Sequence, residues 1–233
     1  MPSDEQSLYA RRNFLRSAGA FAGVAVLQGC VAPRQPALVR APLPAPNSPV
    51  SAHAARPVPA SVVFSPRPAL LDRAVAALDT HRGRIARRDR IAIADFTAPS
   101  NERRVQFVDL ESGRVSTMLV AHGSGSDPAH CGRLERFSNV QDSNATSEGA
   151  YVTDDYYVGQ HGRSQRLLGL DPTNDNAFAR AIVVHGAWYA ESDMLAKHGK
   201  LGRSQGCFAV GEGDLSKAFA MLDRGRMIWA GKA

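Results

Sequence analysis

Apolar side chains recur at a spacing of three to four residues between positions 66 and 82: they are Leu70, Leu71, Ala74, Val75 and Leu78. This period predicts a helix that packs one face against the rest of the protein. Ser65 is expected to cap the N-terminus of this helix, with Pro66 in its first turn and Gly83 just after its last turn.

From residue 90 onward the apolar period shortens to two, which is typical of half-buried strands. The segments with this pattern are 90–96, 104–110, 114–122 and 150–158. A short apolar run at 181–185 favours a buried strand, 189–198 and 212–223 have helical patterns, and 227–229 is expected to form a closing strand. We therefore expect a mainly β domain with a few surface helices and an N-terminal helix.

Residues 1–29 have the parts of an export signal. Three arginines, at positions 11, 12 and 16, precede the apolar run Ala18–Leu27, which is too short to cross a bilayer. The string ArgArgAsnPheLeuArg (11–16) resembles a twin-arginine signal, and Leu27-Gln28-Gly29-Cys30 resembles a bacterial lipobox, whose cysteine is diacylated. We predict a signal peptide over 1–29 and lipidation of Cys30; an ordinary signal peptide with an incidental cysteine is the alternative.

Proline is concentrated just after this leader. Ten of the 14 prolines lie between Pro33 and Pro68, in a stretch with almost no aromatic residues. Such a composition cannot bury enough surface to fold, so we predict an extended tether over 30–64 and a folded domain over 65–233.

The formal charge of +6 permits a nucleic acid or an anionic surface as partner. Five arginines cluster between Arg82 and Arg90, but no aromatic interleaving or nucleic-acid-binding motif accompanies them. We therefore interpret the cluster as a solvated helix end and expect no nucleic-acid partner.

One segment carries candidate chemistry. His185 ends the predicted strand 181–185 and is followed by Gly186, while a glycine-punctuated loop further on ends in Cys207. A cysteine and a histidine in such positions suggest a nucleophile and its base, since the thiolate is the reactive form. The backbone amides of Gly206 and Cys207 are candidates for an oxyanion hole. The alternative for Cys207 is a buried structural thiol.

Two further hypotheses involve Cys131. Because histidine and cysteine ligate zinc, His122, His130 and Cys131 are a possible ligand set for a zinc hydrolase, although no fourth ligand supports it. An oxidised pair of Cys131 with Cys207 would inactivate the nucleophile. A loop thiol with neither role is the simpler interpretation.

His185, followed by Ser204-Gln205-Gly206-Cys207, resembles the motif of the L,D-transpeptidases (YkuD-type), and the flanking strings resemble the murein L,D-transpeptidase family in particular. Those strings lie at 120–125, 136–139, 174–177 and 202–207, and 147–151 resembles a substrate-side element that includes Tyr151. The resemblance covers about residues 65–230. It implies a mixed β-sandwich.

The resemblance also implies roles for particular residues. Cys207 would be the nucleophile, His185 the base, and Ser204 an orienting residue. Oxyanion and substrate contacts would come from a wider set: Gly206, Gln205, Gly186, Arg203 and Tyr151. Gln205 stands where the family motif has a second histidine, and Phe208 stands where many members have a polar or aliphatic residue.

The reaction implied is attack on the third residue of a peptidoglycan stem peptide, loss of D-Ala, and transfer of the thioester to an amine of a second stem. No cofactor or metal is implied. The expected partners are stem peptides and, through Cys30, the membrane, with the protein at the periplasmic face of the envelope. An L,D-carboxypeptidase or amidase would use the same acyl-enzyme, and a non-catalytic wall-binding lipoprotein would keep only the fold.

Overall fold

The computed structural model describes residues 65–233. The signal peptide predicted over 1–29, the tether over 30–64 and the lipid acceptor Cys30 lie outside the described residues. Among the helices of residues 65–233, none is long and apolar enough to cross a membrane.

The N-terminal helix, α1, spans Pro68–Thr80 and is shorter at both ends than the sequence predicts. Arg67 occupies the N-cap position without a side-chain cap, so the predicted capping role of Ser65 is wrong. A residue before proline is driven out of the helical region, and Arg67 precedes Pro68 with an extended ψ of 127°. The second proline therefore sets the start of the helix.

Eight strands follow, and their bounds are β1 (Arg90–Asp95), β2 (Val105–Asp109), β3 (Val115–Met118), β4 (Gly149–Gly159), β5 (Gly162–Gly169), β6 (Val183–Gly186), β7 (Phe208–Val210) and β8 (Met227–Gly231). They form one sheet in the order β3-β2-β1-β8-β4-β5-β6-β7. The pairs β1–β8 and β6–β7 are parallel and the other pairs are antiparallel. The sheet is therefore mixed, as the family resemblance implied.

The sheet folds back on itself. The chain just beyond β3 reaches β7, at the opposite end of the strand order, through bridges that pair Ala121 with Ala209 and Gly123 with Ser204. The two halves of the sheet enclose an apolar core that includes Phe96, Phe107 and Phe208. This closure gives the predicted sandwich.

Two further helices, α2 (Ser192–His198) and α3 (Leu215–Leu222), complete the domain. α2 follows a 3₁₀ turn at Trp188–Ala190, and α3 follows another at Glu212–Asp214, so both α-helices are shorter than predicted. α1 packs on the outer side of β1, β8 and β4 through Leu70, Ala74 and Leu78. α3 contributes to the enclosed core.

Aspartates pair with several arginines of the basic cluster. Arg87 contacts Asp223, Arg88 contacts Asp79, and Arg90 lies 3.3 Å from Asp109. Part of the positive charge of this cluster is thus compensated within the domain.

Candidate active site

The candidate nucleophile and base lie on adjacent parallel strands. In the β6–β7 register, Val184 pairs with Phe208 and His185 pairs with Ala209. Val184 and Phe208 both face the core. Because side chains alternate between faces, His185 and Cys207 project together from the other face of the sheet.

One ring nitrogen of His185 is engaged by the backbone. Its Nδ1 lies 3.0 Å from the carbonyl oxygen of Gly186, which accepts hydrogen bonds only. Nδ1 therefore carries the proton and donates it, and Nε2 keeps a lone pair. A neutral imidazole in this tautomer is competent as a general base. Gly186 thus orients the histidine, and its predicted substrate contact stays a prediction.

Cys207 is largely enclosed, with 7% of its surface exposed. Its Sγ lies 3.6 Å from the carbonyl oxygen of Ala181. Burial raises the pKa of the Cys207 thiol, against the opposing effects of a hydrogen bond with the Val183 backbone and of the charge of Arg180. Burial also lowers the pKa of His185. The resting pair is therefore a neutral thiol beside a neutral imidazole.

Ser204 fixes the loop that carries the thiol. Its Oγ donates to the carbonyl oxygen of Cys207 at 2.7 Å and accepts from the Gly206 amide at 3.2 Å. Gly206 has a φ of 113°, and a Cβ there would lie 2.8 Å from the carbonyl oxygen of Ala145. Only glycine fits this position, for both conformational and steric reasons.

The same contact changes the expected oxyanion hole. Since the Gly206 amide already donates to Ser204 Oγ, it is not free to donate to a substrate oxygen in this arrangement. The predicted oxyanion role of Gly206 is in conflict with this contact. Of the two amides predicted for that role, only that of Cys207 remains a candidate.

Arg180 belongs to the site although the sequence motif did not indicate it. Its Nη1 donates to the Ser138 carbonyl at 2.8 Å and to Ser147 Oγ at 2.7 Å. Its Nη2 donates to Ser143 Oγ at 3.2 Å and to the Ala145 carbonyl. The guanidinium thus braces the loop 138–147 and places a positive charge that favours the Cys207 thiolate. Its place directly before the strand of His185 was the only signal in the sequence.

Cys207 and His185 open onto a cavity of about 590 Å³. Gln205 is exposed and lines this cavity, and its predicted substrate contact stays a prediction. Arg203 also lines it, but its Nη1 donates to the backbone carbonyls of Asp127 and Pro128. The guanidinium of Arg203 therefore supports the wall of the cavity.

Tyr151 does not lie in this cavity, so its predicted substrate contact is wrong. Its side chain is fully buried, its hydroxyl donates to the Ser147 carbonyl at 2.8 Å, and its ring lies 5.4 Å from that of Phe208. Tyr151 falls on the core-facing side of β4, where alternation along the strand directs every second side chain inward.

The flanking strings that resembled the murein family form scaffold contacts. Asn174 is buried, donates to the Ala150 carbonyl at 2.8 Å and accepts from the Asp171 amide at 2.9 Å. The side chain of Asn139 donates to Asp175 at 2.7 Å, and the backbone carbonyl of Asn139 accepts from the Asn176 side chain at 3.1 Å. These amides tie together the loops beside the cavity.

A family model described as the L,D-transpeptidase catalytic domain matches residues 65–230. The chain belongs to this family. The match covers the sheet, both strands of the Cys–His pair and the loops around the cavity. A search of curated proteins finds no match.

Solved L,D-transpeptidases are similar to this chain at low identity. The protein from Mycobacterium smegmatis is 13% identical over 61% of this chain and 58% of its own, with a TM-score of 0.37. An L,D-transpeptidase from Mycobacterium tuberculosis is 15% identical over 61% of this chain and 57% of its own, with a TM-score of 0.38. The L,D-transpeptidase from Xylanimonas cellulosilytica is 17% identical over 67% of this chain and 68% of its own, with a TM-score of 0.34. The chain spans about three-fifths of the length of the two mycobacterial proteins.

A buried polar network lies behind the loop that carries the candidate nucleophile of this L,D-transpeptidase domain. Arg104 Nη2 donates to His122 Nδ1 at 2.6 Å, and His122 Nε2 lies 3.3 Å from Asp127. The His122 carbonyl accepts from the Ser204 amide at 2.9 Å, which links the network to the loop of Cys207.

This network argues against a zinc site on His122, His130 and Cys131. Both ring nitrogens of His122 already have partners, and His130 Nε2 lies 3.0 Å from the Leu201 carbonyl. The described residues do bring Asp127, Cys131 and Glu135 together, with ligand atoms within 4.8 Å of one another. Asp127, however, accepts the backbone amides of Cys131 and Gly132 at 2.7 and 2.8 Å.

Cys131 and Cys207 are both free thiols. Cys131 is exposed, and its Sγ lies 3.8 Å from the Arg133 carbonyl. The hypothetical disulfide between them is not formed in this structure.

We expect the domain to lose stability in acid because of His122. Burial, followed by the charge of Arg104, lowers the pKa of His122 to about 4. In the unfolded chain its pKa is about 6.5, so the unfolded state binds more protons between these values and the free energy of unfolding falls as pH drops through this window. The full effect is roughly 3 kcal/mol. Urea unfolding between pH 7 and pH 4 measures it.

His122→Gln is the matched variant for this measurement, because glutamine keeps polar atoms there without titrating. Its unfolding free energy should depend less steeply on pH between 6.5 and 4 than that of the wild type. Identical slopes would assign the acid sensitivity to other groups.

Proposed function

We propose that this chain is a cysteine L,D-transpeptidase that forms a thioester with a peptidoglycan stem peptide and passes it to an amine as a 3→3 cross-link. One observation carries the proposal: Cys207 and His185 project from the same face of adjacent strands into one cavity, with Nε2 of His185 unprotonated. The export signal predicted over 1–29 and the lipobox-like Cys30 support a location at the periplasmic face of the envelope, anchored by lipid.

In the acylation step, Cys207 Sγ attacks the carbonyl carbon of the third stem residue while its proton passes to His185 Nε2. A thiol whose pKa is raised by burial needs this proton transfer, since little thiolate exists beforehand. The C–N bond to D-Ala then breaks, and the proton on His185 goes to the departing amine. The products are the thioester and free D-Ala.

In the second step, an amine of another stem attacks the thioester carbonyl. His185 Nε2 takes a proton from this amine, the C–S bond breaks, and the proton returns to the sulfur. The hydrogen bond from Nδ1 to Gly186 holds the imidazole in one tautomer through both steps. The new bond is the amide of the cross-link.

Water in place of the amine would give an L,D-carboxypeptidase or an amidase, with the same residues in the same roles. The site itself argues against a wall-binding lipoprotein without catalysis. A buried thiol, an oriented histidine and a glycine with a φ of 113° are all present in it. A pure binding surface would require none of the three.

The experiment that tests the proposal is muropeptide analysis of cells that make the wild type or Cys207→Ala. We expect 3→3 dimers with the wild type and none with the variant. Tripeptides that depend on Cys207, without any dimers, would indicate an L,D-carboxypeptidase in place of a transpeptidase. Muropeptides that do not differ between wild type and variant would contradict both activities.

A further inference from the structure

A second histidine lies against the base. His161 is at the tip of the β4–β5 hairpin, and its ring stacks on that of His185 with centroids 4.3 Å apart and planes at 19°. His161 is exposed and lines the same cavity as Cys207. The sequence motif did not indicate His161, because it is brought to the site only when the hairpin folds.

The hairpin that carries His161 is held at its base. The guanidinium of Arg166 lies 4.2 Å from the ring centroid of Tyr157, and Arg163 lies 5.0 Å from that of Tyr156. Gly162 has a left-handed φ of 70°, which allows the chain to turn directly after His161. The tip is therefore placed by the sheet below it.

The imidazole of His185 has few other restraints. Its Nδ1 bonds to the Gly186 carbonyl, which fixes one atom of the ring but leaves rotation about that contact. On β5 its partner is Ser164 and on β7 it is Ala209, and neither side chain has a flat face to pack against the ring. The stacked His161 ring supplies that face.

The charged and titratable groups around His185 are few. Those that line the cavity, apart from the two histidines, are Asp142, Tyr157, Arg180, Tyr189, Arg203 and Cys207. Glu212 packs beside Gly186 on the far side of the strand. Burial is the main cause of the lowered pKa of His185, the Gly186 hydrogen bond opposes it, and a charge on His161 lowers it further.

We propose that His161 is a positioning residue: its ring holds the plane of the His185 imidazole toward Cys207. A positive charge on the stacked ring would also work against protonation of His185. This inference rests on the proposed role of His185 as the base. It does not depend on whether an amine or water receives the acyl group.

Two substitutions distinguish the effect of stacking by the His161 ring from the effect of its charge. His161→Phe keeps a flat ring that can stack but cannot be protonated, whereas His161→Ala removes both. Val158→Ala is the matched control, because Val158 lies in the same hairpin, is 81% exposed and does not line the cavity.

The measurement is alkylation of Cys207 by iodoacetamide in the full-length protein, followed by mass spectrometry of the tryptic peptide 204–217. In this reaction the Sγ–C bond forms, iodide leaves, and the thiol proton passes to His185. We expect the rate to fall about tenfold in His161→Ala and to stay within about threefold of the wild type in His161→Phe and Val158→Ala.

The pH profile gives the second readout. Loss of the nearby charge should move the acid limb of the alkylation rate to higher pH in His161→Phe. An acid limb that does not move would overturn the charge effect. A wild-type rate in His161→Ala would overturn the positioning role, and so would a loss that phenylalanine does not restore.

Failure of this inference is distinguishable from failure of the proposed function, because alkylation needs no peptidoglycan. A chain that makes no 3→3 dimers but shows the expected alkylation pattern loses only the transpeptidase assignment. A chain that makes dimers and alkylates equally in all variants loses only the role of His161.

Discussion

Replacing Cys207 with alanine is expected to lower the rate of D-Ala release from a stem tetrapeptide by at least about 10⁴-fold, because the variant has no nucleophile to form the thioester. The fold should tolerate the change. Cys207 precedes β7 and faces the cavity, so the packing of Phe208 in the core is not disturbed. Mass spectrometry of the purified protein with substrate would show no acyl adduct.

Cys131→Ala is the matched control for this measurement. Cys131 is an exposed thiol in a loop, whereas Cys207 is enclosed beside an oriented histidine. The control should release D-Ala within about twofold of the wild-type rate. A comparable loss in both variants would point to a damaged fold and not to a missing nucleophile.

Arg104→Met should cause the largest loss of stability, about 3 to 5 kcal/mol in the free energy of unfolding. Arg104 is 1% exposed and donates to the Val120 carbonyl at 2.9 and 3.1 Å and to the Ala98 carbonyl at 3.1 Å. Methionine fills similar space but leaves these buried acceptors without donors and the buried Asp127 without a compensating charge. Urea unfolding at neutral pH, followed by tryptophan fluorescence, measures the loss.

The neighbouring Arg103 offers a control of the same chemistry. It is exposed, and its guanidinium makes a 3.4 Å contact with the Thr117 carbonyl. Arg103→Met should change the free energy of unfolding by no more than about 0.5 kcal/mol. If both variants unfolded at the same urea concentration, the buried network would not be a source of stability.

Most of the eight strands were predicted from apolar patterns in the sequence. The segments around β1, β2 and β8 have clear apolar patterns, and the structure confirms them as strands. β5 and β7 were missed. The first half of β5 reads GlyArgSerGln, and β7 has three residues. Their strand conformation comes from pairing with β4 and β6, which a local pattern does not contain.

Some residues of the candidate site could likewise be predicted from the sequence, and others could not. His185, Ser204 and Cys207 stand at fixed separations along one segment, so the motif contains them. Arg180 and His161 act through contacts that only the folded chain creates, one by bracing a loop and the other by stacking from a hairpin tip. Tyr151 was predicted to contact the substrate but is buried in the core. The error arose because a motif position does not reveal which face of a strand a residue occupies.

β8 follows the other seven strands along residues 65–233, yet it lies in the middle of the sheet. It pairs with β1 on one side, where Ile91 meets Met227, and with β4 on the other. The halves of the sheet on either side of β8 are thus joined through a strand that is far from β1 in the sequence. Contacts of such long sequence separation form slowly, so insertion of β8 between β1 and β4 should be a late step in folding.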